Sequence, residues 1–280
     1  AITMLIPQIA VSIYTVLDKT MIGSLCNDVS EVGYYEQSQK IVKLSMTVIT
    51  SLNAVMIPRI AKNYSDGNKE VVNNYMKKTF NFIWFLGMPI ILGIVAISAK
   101  FVPWFLGEEF EKVIALLNCT TPIILFISIS SAIGSQYLMS INKQNIHTIF
   151  VIVGSILNAI TNFILIPKFF SFGAAIATVI AEGFIAIGEI VYVVYTKKMN
   201  LTIIFINWWK YLISGIIMMI VVLITTMQLD SSITTTMIQI AIGTIVYLTA
   251  LLIMKDKFTL NIVQTFINKL KDNWTRRLKG

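Results

Sequence analysis

The sequence predicts an all-α protein that crosses a lipid bilayer about eight times. Three observations carry that expectation. The chain of 280 residues is 56% hydrophobic and only 13% charged, with a mean hydropathy of +0.77, whereas a soluble domain is roughly 45–50% apolar and about 25% charged. Too little polar surface is left to coat a water-soluble fold, so lipid must be the solvent. The apolar residues also gather in long runs, and ~20 of them at about 1.5 Å per residue span a hydrocarbon core of about 30 Å. Finally, Lys and Arg are divided unevenly between alternate connections.

Eight segments have the required length: 2–18, 39–59, 80–102, 113–140, 146–167, 172–196, 209–229 and 233–254. They lack the strict alternation of barrel strands. A helix satisfies its own backbone hydrogen bonds, as lipid demands. The polar stretches 19–38 and 60–79 are expected to be loops, and no connection is long enough to hold a soluble domain. Residues 1–196 thus carry six spans and 197–254 two more, followed by a basic tail, 255–280. In that tail Phe258, Ile262, Phe266, Ile267 and Leu270 recur at helical spacing, the pattern of an amphipathic helix lying on a membrane surface. At the other end, Ala1 opens on an apolar stretch with no charged region before it, a poor match to a cleavable signal peptide. The chain is therefore expected to begin inside a longer protein.

Orientation follows from charge. With a cytoplasmic N-terminus, 16 of the 22 Lys and Arg fall in inside connections, leaving Lys19, Lys40, Lys43, Lys100, Lys112 and Lys168 outside. Acids collect outside, at Asp28, Glu31 and Glu36 and at Glu108, Glu109 and Glu111. This matches the positive-inside rule and places both termini in the cytoplasm. Tyr34, Tyr35, Trp104, Trp208, Trp209 and Tyr211 sit at segment ends, as interfacial aromatic belts do. The net charge of +8 thus reads as attachment to anionic lipid, with no nucleic-acid partner. Cys26 and Cys119 form neither a disulfide framework nor a metal motif.

Polar residues inside spans cost roughly 2.5–3.5 kcal/mol each when ionised, so they face a cavity or a partner. In the first span Gln8, Ser12, Thr15 and Lys19 share one helical face with Asp18 beside it: a cavity wall, or a helix end whose charges reach water. In the second, Lys40, Lys43 and Thr47 form a stripe suited to an anionic pyrophosphate, or simply lysines snorkelling to the interface. In the sixth, Glu182 and Glu189 lie seven residues apart on one face, with Thr178 a turn before Glu182. Each carboxylate is either an ion-coupling group or a structural acid between helices. Asn158 and Asn162 are expected to bind helices together. His147, the one histidine, is expected at the surface. Pro7, Pro58, Pro89, Pro122 and Pro167 mark kinks or ends of spans. With one histidine, no cysteine pair and no phosphate-cradling loop, no nucleophile–base constellation exists, so no enzymatic activity, cofactor or metal is expected.

Several runs resemble the second half of Wzx-type polysaccharide flippases, in the multidrug/oligosaccharidyl-lipid/polysaccharide exporter superfamily. They are Ile6-Pro7-Gln8 through Tyr14, Leu17-Asp18-Lys19-Thr20-Met21-Ile22-Gly23, Val32-Gly33-Tyr34-Tyr35-Glu36, Met56-Ile57-Pro58-Arg59, and Asn158 to Pro167 followed by Gly173-Ala174-Ala175-Ile176-Ala177-Thr178. The resemblance implies helices seven to fourteen of a fourteen-helix exporter: the C-terminal six-helix lobe plus two extra helices, in the bacterial cytoplasmic membrane. It implies movement of undecaprenyl-pyrophosphate-linked sugar repeats by alternating access, with Lys19, Lys40 and Lys43 holding the diphosphate. The partners implied are membrane lipids, the absent N-terminal lobe and a polysaccharide polymerase complex. A cation-coupled multidrug antiporter of the same superfamily is the near rival, and the basic stripes argue against it. A non-transporting scaffold of polysaccharide assembly is a third alternative. A membrane-embedded glycosyl- or acyltransferase would need clustered catalytic His, Asp or Glu that the chain lacks.

Overall fold

Apolar runs fold here as long helices, because in lipid each backbone N–H must find its partner within its own segment. The computed structural model describes residues 2–26, 28–265 and 268, with side chains throughout these except at 2–8 and 10. The helices are α1 (Ile2–Leu25), α2 (Ser30–Thr50), α3 (Asn53–Ser65), α4 (Lys69–Phe105), α5 (Lys112–Thr120), α6 (Ile123–Ser130), α7 (Gln144–Phe169), α8 (Ser171–Tyr195), the single turn α9 (Leu201–Ile204), α10 (Trp208–Thr226) and α11 (Ile233–Ile253). Residues 257–265 form α12. Among the described residues, Ser30–Ser65, Lys69–Phe105, Lys112–Leu138, Gln144–Phe169, Ser171–Tyr195, Leu201–Thr226 and Ile233–Ile253 are long and apolar enough to cross a membrane. Helix α1, 24 residues long, stands where the first span is expected.

The expected loops 19–38 and 60–79 are largely helical. Among the described residues only 26, 28, 29 and 66–68 interrupt the helices there, because polar residues outside the lipid still complete backbone ladders already begun. Helix α4, with 37 residues, is about 55 Å long and outruns the bilayer. Two expected single spans are broken instead. Between α2 and α3 the hydroxyls of Thr47, Thr50 and Ser51 donate back to carbonyls three or four residues earlier, a pattern that competes with the helix ladder. Between α5 and α6 Pro122 supplies no N–H, and the chain passes through three-residue turns, Ile124 N to Thr121 O at 3.0 Å and Leu125 N to Pro122 O at 3.1 Å. Helix α6 then widens into a π-helical stretch, Ser131–Leu138.

Helix α8 is central, packing against α1, α2, α5, α6 and α7. Helices α7 and α8 form a hairpin reversing at Phe170 alone, whose φ of 55° belongs to a region costly for a residue with a side chain. Gly154 and Gly188 bring the two helices together: a Cβ added at either would collide with Ile185 or Phe150 respectively. Helices α10 and α11 pack on each other and on α4 around Phe85, Tyr211 and Tyr247. Tyr211 and Tyr35, expected in interfacial belts, are core residues at 0% and 1% exposure, because their hydroxyls find buried carboxylates. The first residues of the tail pack against the protein. The backbone N–H and hydroxyl of Thr259 donate to Asp256 (2.8 and 2.9 Å), capping α12, and Phe258 meets Phe85 edge-on. Phe266, Ile267 and Leu270 lie outside the described residues.

Where α1 turns into α2, buried Glu31 ties three helices. It accepts from Lys112 and from the backbone N–H and hydroxyl of Ser171, so its charge sits at the N-terminus of α8, where a helix dipole favours it. Just before it, both the N–H and hydroxyl of Ser30 donate to Asp28, which holds that exposed carboxyl below its usual range. Glu31→Ala is expected to remove about 2 kcal/mol of stability, the worth of hydrogen bonds to a charged acceptor with one half-exposed partner. The check is the midpoint of thermal unfolding in detergent, and an unmoved midpoint would contradict it.

Candidate functional site

One face of α2 carries Tyr35, Gln39, Lys43 and Thr47 at intervals of four, so a single wall of polar side chains is dictated by helical spacing. Opposite it stand Ser12, Thr15 and Asp18 of α1 and Thr178 and Glu182 of α8, with Ser130, Ser131 and Ser135 of the α6–π segment at one side. Together they enclose a cavity of about 560 Å³, closed further by apolar residues such as Val42, Ile127 and Ile185.

Of the residues picked out by sequence, Ser12, Thr15, Asp18, Lys43, Thr47 and Glu182 line this cavity. The side chain of Gln8 lies outside the described residues. Lys19 and Lys40 are not in the lining. Both pair with Glu36, at 3.3 and 3.2 Å, because the three side chains project together from neighbouring turns of α1 and α2. Among the described residues Lys43 has no such ion pair, leaving it the cation that faces the cavity.

Asp18 is not at a mouth but buried, at 1% exposure. Asn162 donates to its Oδ1 (2.5 Å), and Tyr35 and Thr178 donate to its Oδ2 (2.7 and 3.2 Å). One carboxylate thereby joins α1, α2, α7 and α8, which is what a charge buried in a membrane requires to be tolerated. Asn162 also donates to Asn158, so the amide pair binds helices as expected. Glu182, 5% exposed, accepts from the Tyr14 hydroxyl. Glu189 is fully buried and meets His147, whose Nδ1 lies 2.5 Å from its Oε1. His147 is therefore not the surface residue expected: its side chain is 12% exposed, and the ring lines the cavity at the end where α7 begins. Below it, Thr79, Gln136, Asn53 and Ser131 form a hydrogen-bonded chain joining α3, α4 and the π stretch.

Sequence reasoning missed Tyr14, Tyr35, Gln39 and the three serines. The first three had a signal: Tyr14 lies four residues before Asp18, and Tyr35 and Gln39 extend the Lys43–Thr47 stripe by two turns. The serines had none: they lie where α6 gives way to the π stretch at Ser131, a change of helical period that hydropathy does not register.

A second concavity, an apolar groove of about 600 Å³, lies between α4, α10 and α11, walled by Phe85, Leu86, Ile90, Met218, Val222 and Tyr247. Helix α2 borders both spaces: Ser45 and Val48 reach the groove, while Lys43, Met46 and Thr47 face the polar cavity.

Comparison with known proteins gives this geometry its context. A family described as "Polysaccharide biosynthesis protein" matches residues 1–115. The lipid II flippase MurJ of Bacillus subtilis (strain 168) is 28% identical over 151 residues, covering 53% of this chain and 27% of that protein. The lipopolysaccharide biosynthesis protein WzxC of Escherichia coli (strain K12) is 31% identical over 84 residues, 30% of this chain and 17% of that one. Among solved structures, the lipid II flippase MurJ in an inward closed conformation superposes with a TM-score of 0.75 at 20% identity, over 92% of this chain and 53% of that chain. The matched regions thus span about a quarter or less of these two relatives' length and about half of the solved chain.

Proposed function

We propose that this chain, which belongs to the Wzx-type polysaccharide flippases of the multidrug/oligosaccharidyl-lipid/polysaccharide exporter superfamily, supplies one wall of the passage through which an undecaprenyl-pyrophosphate-linked sugar repeat crosses the bacterial cytoplasmic membrane. Residues 1–196 act as the C-terminal lobe, 197–254 as two added helices and 255–280 as a basic cytoplasmic tail, with the N-terminal lobe of the same transporter forming the opposite wall. Alternating access of the two lobes moves the substrate. The protein works as a transporter, not an enzyme, beside a polysaccharide polymerase complex.

The observation that carries this is the division of labour across α2. A substrate with an anionic, hydroxyl-rich head and a long hydrocarbon chain needs a polar cavity and an apolar groove side by side. Lys43 offers its charge to the diphosphate, and Ser12, Thr15 and Thr47 offer hydroxyls to sugar. The groove between α4, α10 and α11 suits the prenyl chain. Lys19 and Lys40, which share the carboxylate of Glu36, act at the outer mouth rather than in the head-group site. A drug cation would find Lys43 repulsive, which disfavours the antiporter alternative. Glu182, held by Tyr14 at the cavity wall, is the group we assign to cation coupling.

The test is substitution in the full transporter. Lys43→Gln is expected to lower surface polysaccharide about ten- to a hundredfold, the value of one charge-assisted contact of roughly 1.5–3 kcal/mol. Lys43→Arg should keep most activity, and Lys19→Gln and Lys40→Gln should change export less than about threefold, as exposed pairs do. Undiminished export by Lys43→Gln would overturn the assignment.

A further inference from the structure

We infer that His147 and Glu189 form a proton-binding site at the end of the cavity where α7 begins, loading and releasing one proton as the transporter cycles. The inference rests on the transport function proposed above.

The carboxylate of Glu189 is sealed from solvent on α8, where it meets the imidazole of His147 and the hydroxyl of Ser130. One face of that ring lines the cavity, and Nδ1 touches Oε1. A proton entering from cavity water therefore meets the imidazole first and the carboxylate second. Oε2 of Glu189, moreover, is buried without a hydrogen-bond partner. A purely structural ion pair at this depth would be expected to satisfy both oxygens, since an orphaned charged acceptor costs more than the pair gains. The free oxygen is where one further proton fits.

Close packing holds the ring in place. The ring rests on the bare Cα of Gly134 in the π-helical stretch, where an added Cβ would overlap its Nδ1, Cε1 and Cγ atoms. Such stretches are frequent at functional sites. The α6–π segment faces the pair with hydroxyls only, those of Ser130, Ser131 and Ser135. Helix α8 itself contributes Glu182, seven residues and about 10 Å away. Lys43 of α2 and Asp18 of α1 stand across the cavity. Lys168 of α7 lies at the other end of its helix, and Lys112 of α5 is bound to Glu31.

The step balances simply. An imidazole–carboxylate pair with one negative charge takes a proton from cavity water on Glu189 and becomes an imidazole–carboxylic acid pair with no net charge. The charged tie between α7 and α8 is then a neutral hydrogen bond. Release to water on the other side of the cycle restores the tie.

The experiment uses the full transporter in phosphatidylethanolamine–phosphatidylglycerol vesicles, with the proton itself as probe. Infrared difference spectra across about pH 5 to 8 should show a carboxylic-acid band growing as the pH falls, with the imidazole bands shifting at the same midpoint. Glu189→Gln should abolish the carboxylic-acid band, and Glu182→Gln should leave it. Gly134→Ala, which retains both groups but displaces the ring, should move the shared midpoint by about one pH unit or more. In cells, Glu189→Gln should remove at least half of the pH dependence of surface polysaccharide. A band that persists in Glu189→Gln, or a midpoint unmoved by Gly134→Ala, overturns the inference. Titration together with undiminished export in Lys43→Gln supports the proton site while overturning the substrate assignment. A silent pair with lost export in Lys43→Gln does the reverse.

Discussion

Asp18→Asn is expected to destabilise the folded transporter by about 3 kcal/mol or more. Tyr35, Asn162 and Thr178 all donate to this carboxylate. An amide of the same shape replaces one acceptor oxygen with an NH2 group that points at donors. Each donor left unsatisfied in a buried site costs about 1–3 kcal/mol. Thermal unfolding of the purified protein in detergent reads the loss. The exchange Asp18→Asn with Asn162→Asp, which returns the carboxylate to the same cluster from α7, should recover at least half of it. A single variant as stable as the wild type would refute the role assigned to the cluster.

Gly173→Ala comes next, at about 3 kcal/mol. A Cβ at this position would lie 2.6 Å from the carbonyl carbon of Leu165 and 2.8 Å from the backbone nitrogen of Ile166. The obstacle is main chain on the facing helix, which cannot rotate aside as a side chain can, so the strain of overpacking reaches its upper range. Gly33→Ala is the control: nothing lies within 4 Å of its added methyl, and helix propensity alone favours alanine. The two variants should differ clearly in the fraction still monodisperse after heating, and equal survival would argue that α7 and α8 are not packed this closely.

The long helices were legible because their signal is redundant. Twenty apolar residues in sequence, as in 233–254 or 146–167, leave few alternatives to a helix in lipid, and α7 and α11 begin and end within a few residues of expectation. What hydropathy could not convey is continuity. It treated the polar stretches 19–38 and 60–79 as loops, although polar residues complete a helix as readily as apolar ones once the ladder exists. It also treated 113–140 as uniform, whereas Pro122 and the π stretch divide it. In the cavity, the residues found by sequence were those on helical stripes: Ser12 and Thr15 on α1, Lys43 and Thr47 on α2, and Thr178 and Glu182 on α8. Which lysine keeps its charge free was not legible. Lys19, Lys40 and Lys43 look alike in a linear stripe, and only the placement of Glu36 between α1 and α2 separates them. His147 was misjudged for the same reason: its partner is 42 residues away.

The reversal at Phe170 constrains how such a protein can move. A single residue between α7 and α8 reaches at most about 3.5 Å, so neither helix can slide past the other by even one turn, and the glycines along the seam let them pack closely. The tight packing of the pair holds Asn162, Thr178, Glu182 and Glu189 in a fixed arrangement. The helices around that pair are already interrupted at Ser51–Leu52 and Thr121–Pro122, so bending costs least at those two joints.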